Sequence, residues 1–395
     1  MPIDRAGTPR ETFITALRLG LTSFGGPVAH LGYFERAYVR RLRWLTAQDY
    51  AGVVALCQLL PGPTSSQVGF LIGLRRAGWG GALASWLGFT LPSALLMYLA
   101  ARSASHLHGA LAQSVLHGLK LASVAVVGQA LWSMARTLCP DLRRAAIAVI
   151  CGLLALVLNG TPVQAVVLAV GAEAGVILCS GIPAPAIAMG QSGSMRDGWL
   201  GLGLFVLLLA LLTGLAAAFP QGLLALCATF YRAGSLVFGG GHVVLPLLHN
   251  TLVPQHWLSE DRFLSGYGLA QALPGPLFTV ATFFGAASAP PHLGAPWALA
   301  ATLAIFLPGL LLAAAGHSLW NYAARHPAVR AAITGTNAAV VGLLGAALYD
   351  PVWSSSISTA ADAITGLTAL LLAGRWKLPP ILVVALCVSL ALVGA

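Results

Sequence analysis

The chain writes one stretch twice, and that repeat limits what it can fold into. The first copy runs Arg18-Leu19-Gly20-Leu21-Thr22-Ser23-Phe24-Gly25-Gly26-Pro27. It continues with Trp44-Leu45-Thr46 and Asp49, then Gln58-Leu59-Leu60-Pro61-Gly62-Pro63. The second copy runs Arg232-Ala233-Gly234-Ser235-Leu236-Val237-Phe238-Gly239-Gly240-Gly241. It continues with Trp257-Leu258-Ser259 and Asp261, then Gln271-Ala272-Leu273-Pro274-Gly275-Pro276. Arg and Phe are six residues apart in both copies, and Gln and the first Pro of the triplet are three apart in both. From Phe to that Pro is 37 residues in one copy and 36 in the other. Agreement at so many offsets marks an internal duplication, so both halves build the same unit.

Composition says where those units sit. The 395 residues are 58% hydrophobic and 8% charged, with a mean hydropathy of +0.84. A soluble domain of this size carries about a quarter charged residues. The expectation is an all-α polytopic membrane protein. Met1 to Arg10 are polar, and no cleavable signal is apparent. The net charge of +10 sits mostly in short loops, so it speaks of orientation in the bilayer, not of nucleic acid. Cys57, Cys139, Cys151, Cys179, Cys227 and Cys387 show no CxxC spacing and read as small buried hydrophobes. No metal or other cofactor is expected.

Residues 13–23 are apolar apart from Arg18 and a few hydroxyls, and the run breaks at Phe24-Gly25-Gly26-Pro27. Gly is costly inside a helix and Pro is best tolerated in a first turn. One helix therefore ends near Gly25 and another starts at Pro27. Arg36, Arg40, Arg41 and Arg43 lead to Trp44, an interfacial anchor, and Thr46 to Asp49 reads as a helix start. The next two apolar pieces, 50–60 and 64–74, have 11 residues each, about 16 Å or half a bilayer core. Clean spans follow at 80–102, 112–136, 143–159 and 162–181, and a further span at 199–219 has no counterpart before Arg18. The second half repeats the plan, with broken segments at 224–250 and 263–288 and spans at 295–319, 330–350, 357–373 and 379–394. The units are thus a first repeat at 11–181, a linker plus inverting span at 182–223, and a second repeat at 224–395.

The basic residues test the layout. If the broken segments re-enter on the side they came from, sixteen basic residues fall on one face, among them Arg36 to Arg43, Arg75, Arg76, Arg143, Arg144, Arg330 and Arg375. Only Arg102 and Arg262 fall on the other. The rich face is then cytoplasmic. Five crossings separate the copies, so the second enters from the opposite face. The expected fold has two inverted-topology repeats with about nine full spans plus re-entrant segments, 10–13 helical membrane segments in all, the plan of many secondary transporters.

Broken helices leave amides and carbonyls unpaired at membrane depth, which is tolerated where they line a cavity or are buried in protein. Half-helices starting at Pro27, Pro63, Gly241 and Pro276 present positive dipole ends that suit an anion. Phe24, Gly25, Gly26, Phe238, Gly239, Gly240, Pro61, Gly62, Pro274 and Gly275 frame these starts, and the glycines let an anion reach the backbone. Thr64, Ser65, Ser66 and Thr279 add hydroxyls beside them, and Gln58 and Gln271 add amide donors. Arg18 and Arg232 stand at matching places, either drawing an anion in or snorkelling to the interface. Lys120 either neutralises Glu173 or lines the path. Glu173 is the clearest acid within a span, read as a proton-coupling group or as an ion-pair partner. His30 and His242 lie just past the Gly breaks and suit either coupling or packing. No Walker loop, nucleotide fingerprint or nucleophile elbow stands in the right context, so neither ATP-driven transport nor catalysis is expected.

The paired motifs Phe24-Gly25-Gly26-Pro27 with Gln58 to Pro63, and Phe238-Gly239-Gly240-Gly241 with Gln271 to Pro276, resemble the chromate ion transporter family in its long two-domain form. The resemblance covers nearly the whole chain outside 182–223. It implies a multi-pass carrier of the bacterial inner membrane that exports chromate, confers chromate resistance, and is driven by the proton motive force, with sulfate as a possible competitor. Gly241 stands where the first copy has Pro27, a departure from that pattern. The alternatives are a carrier of sulfate or another oxyanion, and a passive anion channel. The expected partners are a small oxyanion and the lipid bilayer, with a homodimer compatible and nucleic acid not expected.

Overall fold

In a computed structural model the described residues are 7–24, 26–104, 110–158, 163–180, 194–237, 244–323, 326–376 and 378–393, and every regular element among them is helical. The first half holds α1 (Pro9–Thr22), α2 (Gly26–Phe34), which continues as a π-helical turn (Glu35–Arg41), α3 (Ala47–Leu59), α4 (Thr64–Ala104), α5 (Ala110–Leu138), α6 (Leu142–Val157) and α7 (Val163–Cys179). After α8 (Met195–Ala218) come α9 (Leu223–Leu236), α10 (Val244–Leu252), α11 (Glu260–Ala272), a 3-10 turn (Leu277–Thr279) and α12 (Val280–Ala287). The chain ends with α13 (Gly294–Ala323), α14 (Pro327–Ala347), the single turn α15 (Ser354–Ser356), α16 (Ala360–Arg375) and α17 (Pro380–Val393). Among the described residues five helical stretches are long and apolar enough to cross a membrane, four within α4, α5, α8 and α13 and one running from α14 through α15. Helices α6, α7, α16 and α17 have 16, 17, 16 and 14 residues. They rise about 21–26 Å, short of a hydrocarbon core of about 30 Å.

Local sequence sets these boundaries. Thr46 caps α3 by accepting from the Asp49 amide, and Ser259 caps α11 by accepting from the Arg262 amide. Asp141 caps α6, and Thr359 forms a capping box with Asp362 at α16. Each cap satisfies an amide that has no partner within the helix.

α4 is not one rod. Ala77 and Gly78 are non-helical, with φ +62 at Gly78. The chain reverses there, and Gly69 and Gly73 of the first arm face Ser85 and Gly81 of the second. A hydrogen bond of 2.8 Å from Ser85 Oγ to Gly69 O ties the arms. The end of the first arm then gathers the other ends of the region. Arg76 lies 3.3 Å from Glu11 of α1 and 5.0 Å from the centre of the Trp44 ring, just before α3. Its carbonyl accepts from the Gly7 amide at 2.9 Å. Trp44 packs on Tyr38, at the end of the α2 segment. Both broken segments of the first half therefore start and finish at one place, as hairpins.

The second half does the same at the far end of α4. Arg102, near the end of α4, lies against Gly294 at the start of α13. Trp257, before α11, packs on Trp297 of α13 with ring centres 5.9 Å apart. His249 of α10 meets Glu260 of α11 at 2.8 Å. α12 folds back along α13, with Thr282 and Thr302 hydroxyls 2.7 Å apart. The second arm of α4 runs from one gathering point to the other, a rise of about 40 Å.

Packing between the halves is reciprocal. α14 packs on α6 and α7, while α5 packs on α16 and α17. α1 lies along α4, and α9 lies along α13. Both of these pairs approach closely at a glycine: a Cβ at Gly20 would stand 2.6 Å from Phe89 O, and one at Gly234 would collide with Ile305 O. Those carbonyls lie three residues before Pro92 and Pro308, which stand inside α4 and α13. The duplicated prolines each remove a backbone donor from their helix beside the breaks.

Candidate functional site

The tips of the hairpins cross between the halves. The Gly62 amide, in the first Pro-Gly-Pro turn, donates to Val237 O at 2.6 Å, at the end of α9. The Gly275 amide, in the second, donates to Ser23 O at 3.0 Å, just after α1. Ser23 and Val237 each precede the Phe of their Gly-rich break, so the two bonds are counterparts. Gly62 (φ +122) and Gly275 (φ +103) adopt backbone that favours glycine. A Cβ at Gly62 would stand 2.7 Å from Gly309 Cα, and one at Gly275 would stand 2.9 Å from Ser93 Cβ. Ser93 and Gly309 follow Pro92 and Pro308. Each tip thus rests beside the proline of the other half's long helix.

Side chains lock the contact. Gln67 Nε2 donates to Pro61 O at 2.8 Å and to Gly309 O at 2.9 Å. In the other half Thr279 Oγ1 donates to Pro276 O at 2.8 Å and lies 2.6 Å from Ser93 Oγ.

The helix starts at the tips are buried. Thr64, Ser65, Ser66 and Gln67, the first turn of α4, are 6%, 3%, 1% and 0% exposed. The Gln67 amide bonds back to Pro63 O at 2.9 Å, and the three amides before it have no backbone or side-chain acceptor among the described residues. Ser66 Oγ, Ser23 Oγ and Gln67 Oε1 are buried without a hydrogen-bond partner there. An uncapped helix start carries partial positive charge, and burial strengthens its field. Such a site favours an anion over a cation.

The expected site residues fall into distinct places. Pro61, Gly62, Pro63 and Thr64 stand at one tip, and Pro274, Gly275 and Pro276 at the other. Gly26, with φ +76, and Pro27 open α2, and Phe24 is half-buried just before it. Gln58 is exposed on α3, while Gln271 is buried and bonded to Tyr267. Arg18 is exposed on α1 and Arg232 is half-buried on α9, and neither has an acidic partner among the described residues. His30 is buried, edge-on to Phe89 at 5.4 Å. Glu173 is exposed on α7. Lys120 does not pair with Glu173: its ammonium meets Asp261 in the first turn of α11. The reason is tertiary, because α5 packs on α11 of the other half. The Thr279 hydroxyl is engaged within the tip, not left open as a donor. Gly25, Phe238, Gly239, Gly240, Gly241 and His242 lie outside the described residues.

Gln67, Ser93 and the proline pair were not singled out from the sequence. Gln67 has Val280 as its counterpart, so a search for matched positions passes over it. Pro92-Ser93 and Pro308-Gly309, each preceded by Leu, were a duplicated signal available to that search.

The chromate transporter family model matches residues 10–176 and 224–393. The chain belongs to the chromate transporter family. It is 29% identical over 346 residues to the chromate transport protein of Pseudomonas aeruginosa, covering 86% of the chain and 80% of that protein. It is 28% identical to the chromate transport protein of Cupriavidus metallidurans, over 86% of the chain and 82% of that protein. An uncharacterized transporter of Methanocaldococcus jannaschii is 24% identical over 76% of the chain and 73% of its own length. No solved structure is significantly similar to the chain. This chromate transporter family member is a multi-pass membrane protein whose named relatives are transport proteins.

Proposed function

We propose that the chain is a secondary transporter of the bacterial inner membrane that exports chromate from the cytoplasm and so confers chromate resistance. The observation that carries the reading is the reciprocal crossing of the two tips beside a buried, uncapped helix start. It supplies what a tetrahedral dianion needs at membrane depth: amide and hydroxyl donors and a positive dipole end. The names of the relatives supply the substrate. The two family-matched stretches are read as oppositely inserted repeats, 11–181 and 224–395. Supporting this, their hairpins gather at opposite ends of the second arm of α4 and their helices pack reciprocally. With both broken segments re-entering, the basic clusters lie on the cytoplasmic face. Alternating access then moves one repeat against the other around the crossed tips, driven by the proton motive force. Arg18 and Arg232 attract the anion, and Glu173, His30 and His242 are the groups to test for coupling.

The experiment is chromate flux into everted vesicles, with and without an imposed pH gradient and with sulfate as competitor. Saturable uptake that rises with the gradient supports the proposal. Flux indifferent to the gradient, with unitary currents, makes the chain a channel. Flux of labelled sulfate in preference to chromate makes it a sulfate carrier.

A further inference from the structure

We infer that Arg75 and His317 form a second oxyanion site, at the mouth of the seam between the first hairpin and α13, where the substrate dianion loads before it reaches the tip. The inference rests on the oxyanion reading above and adds a residue pair and a route.

The seam can be followed from the tip outward. Gly62 stands against Gly309, and Gln67 bonds Gly309 O. Further along α13, a Cβ at Gly316 would stand 2.7 Å from Leu60 Cδ1 and 3.3 Å from Leu56 Cδ1. α13 therefore stays against the hairpin as it leaves the tip, and it packs on both α3 and α4. His317 comes next, eight residues or about 12 Å past Gly309. Arg75 lies on the first arm of α4, eleven residues or about 16 Å past Thr64. The two runs meet there, because the Arg75 charge acts on the His317 ring. The next residue, Arg76, belongs to the gathering point of the hairpin ends. The pair thus stands at the end of the seam on the face that bears the basic clusters, cytoplasmic in the reading above.

Neither group is satisfied. His317 is 6% exposed, and its Nδ1 is buried without a hydrogen-bond partner among the described residues. Each such buried polar atom calls for an explanation. Arg75 is half-buried, and among the described residues no ion pair holds its guanidinium. Asp49, in the first turn of α3, is within electrostatic reach of Arg75 but does not pair with it, and its carboxylate accepts from Thr46 Oγ1 at 2.6 Å. The other group of α3 in reach is the buried Cys57 thiol. A cationic side chain in a membrane segment without a counter-ion is read as part of an ion path. The planar guanidinium fork matches two oxygens of a tetrahedral dianion, and an imidazole N–H supplies a further bond. A phosphate headgroup of an anionic lipid offers the same oxygens. The substrate is favoured because His317 lies inside the protein, where a small dianion fits and a headgroup carrying acyl chains does not.

The test is initial chromate uptake by everted vesicles, whose medium bathes the cytoplasmic face, over a range of chromate concentrations. Arg75→Gln and His317→Leu are each expected to raise KM about 10- to 100-fold, the loss of a hydrogen bond to a charged group, with the maximal rate per protein in the membrane kept. Arg75→Lys and His317→Gln, which keep a donor, recover part of the affinity. A structural role would lower protein level or maximal rate instead. KM within about twofold of wild type in both loss variants overturns the inference and leaves the oxyanion reading standing. If the variants fail to fold, wild-type protein in neutral detergent decides. Phenylglyoxal labelling of Arg75, read by peptide mass spectrometry, should be slowed by chromate and not by phosphatidylglycerol. Slowing by the lipid alone assigns the pair to a headgroup, and labelling indifferent to chromate leaves no oxyanion there; either overturns the inference. Absence of saturable chromate uptake by wild type removes both readings together.

Discussion

Gly62→Ala is the sharpest perturbation of the crossed tips. The position has φ +122, where a side chain costs about 1–3 kcal/mol of backbone strain. The new Cβ would stand 2.7 Å from Gly309 Cα and 2.7 Å from Gln67 Nε2. Gln67 is tied to two carbonyls and Gly309 is backbone, so neither moves freely, and overpacking of this kind costs about 1–3 kcal/mol. If the tip lifts to relieve the clash, the 2.6 Å bond from Gly62 to Val237 O is lost, a further cost of about 0.5–1.5 kcal/mol. With the backbone strain, either route comes to about 1.5–6 kcal/mol, a large share of the 5–15 kcal/mol that holds a typical protein folded. The assay is chromate uptake in everted vesicles, normalised to protein in the membrane, with thermal melting in detergent. Gly203→Ala is the control, because nothing lies within 4 Å of its Cβ position. Gly62→Ala is expected to lower the melting temperature and abolish uptake, while the control matches wild type. Wild-type uptake and melting in Gly62→Ala would refute the close crossing.

Two further outcomes follow from the ends of the hairpins. Arg76 is 15% exposed and joins Glu11 to the Trp44 ring; Arg76→Lys keeps the charge but not the flat guanidinium, and should lose about 1 kcal/mol, read as a lower melting temperature. Lys120→Met breaks the pair with Asp261, whose side chain is 66% exposed, so the loss should stay below about 1 kcal/mol and chromate flux should persist; lost flux at normal protein level would place Lys120 on the transport path instead.

Much of the architecture was readable because Gly and Pro mark where helices cannot continue. The breaks at Pro61-Gly62-Pro63 and Pro274-Gly275-Pro276, the start at Thr46 and the reversal between 74 and 80 all stand where the residues put them. The contacts between halves were not readable. Lys120 finds Asp261 only because α5 lies on α11, and no local pattern says so. Gln58 was attractive because Gln271 matches it, yet it faces outward, while Gln67, one turn past the break, turns inward. Repetition shows which positions the two halves share. It is blind to positions where they differ, and the polar atoms at the α4 tip, with Val280 opposite Gln67 in the duplication, are of that kind.

The most direct test of the account is a cross-link between the halves. Ser93 Oγ and Thr279 Oγ1 are 2.6 Å apart, close enough for cysteines at the two positions to be tested for a disulfide. The variant carries Ser93→Cys and Thr279→Cys in a background with the six native cysteines replaced, and a protease site between residues 182 and 193. After cleavage the account predicts two halves that migrate together on a non-reducing gel and separate on reduction. Halves that separate under both conditions, in protein that still transports chromate, would contradict it.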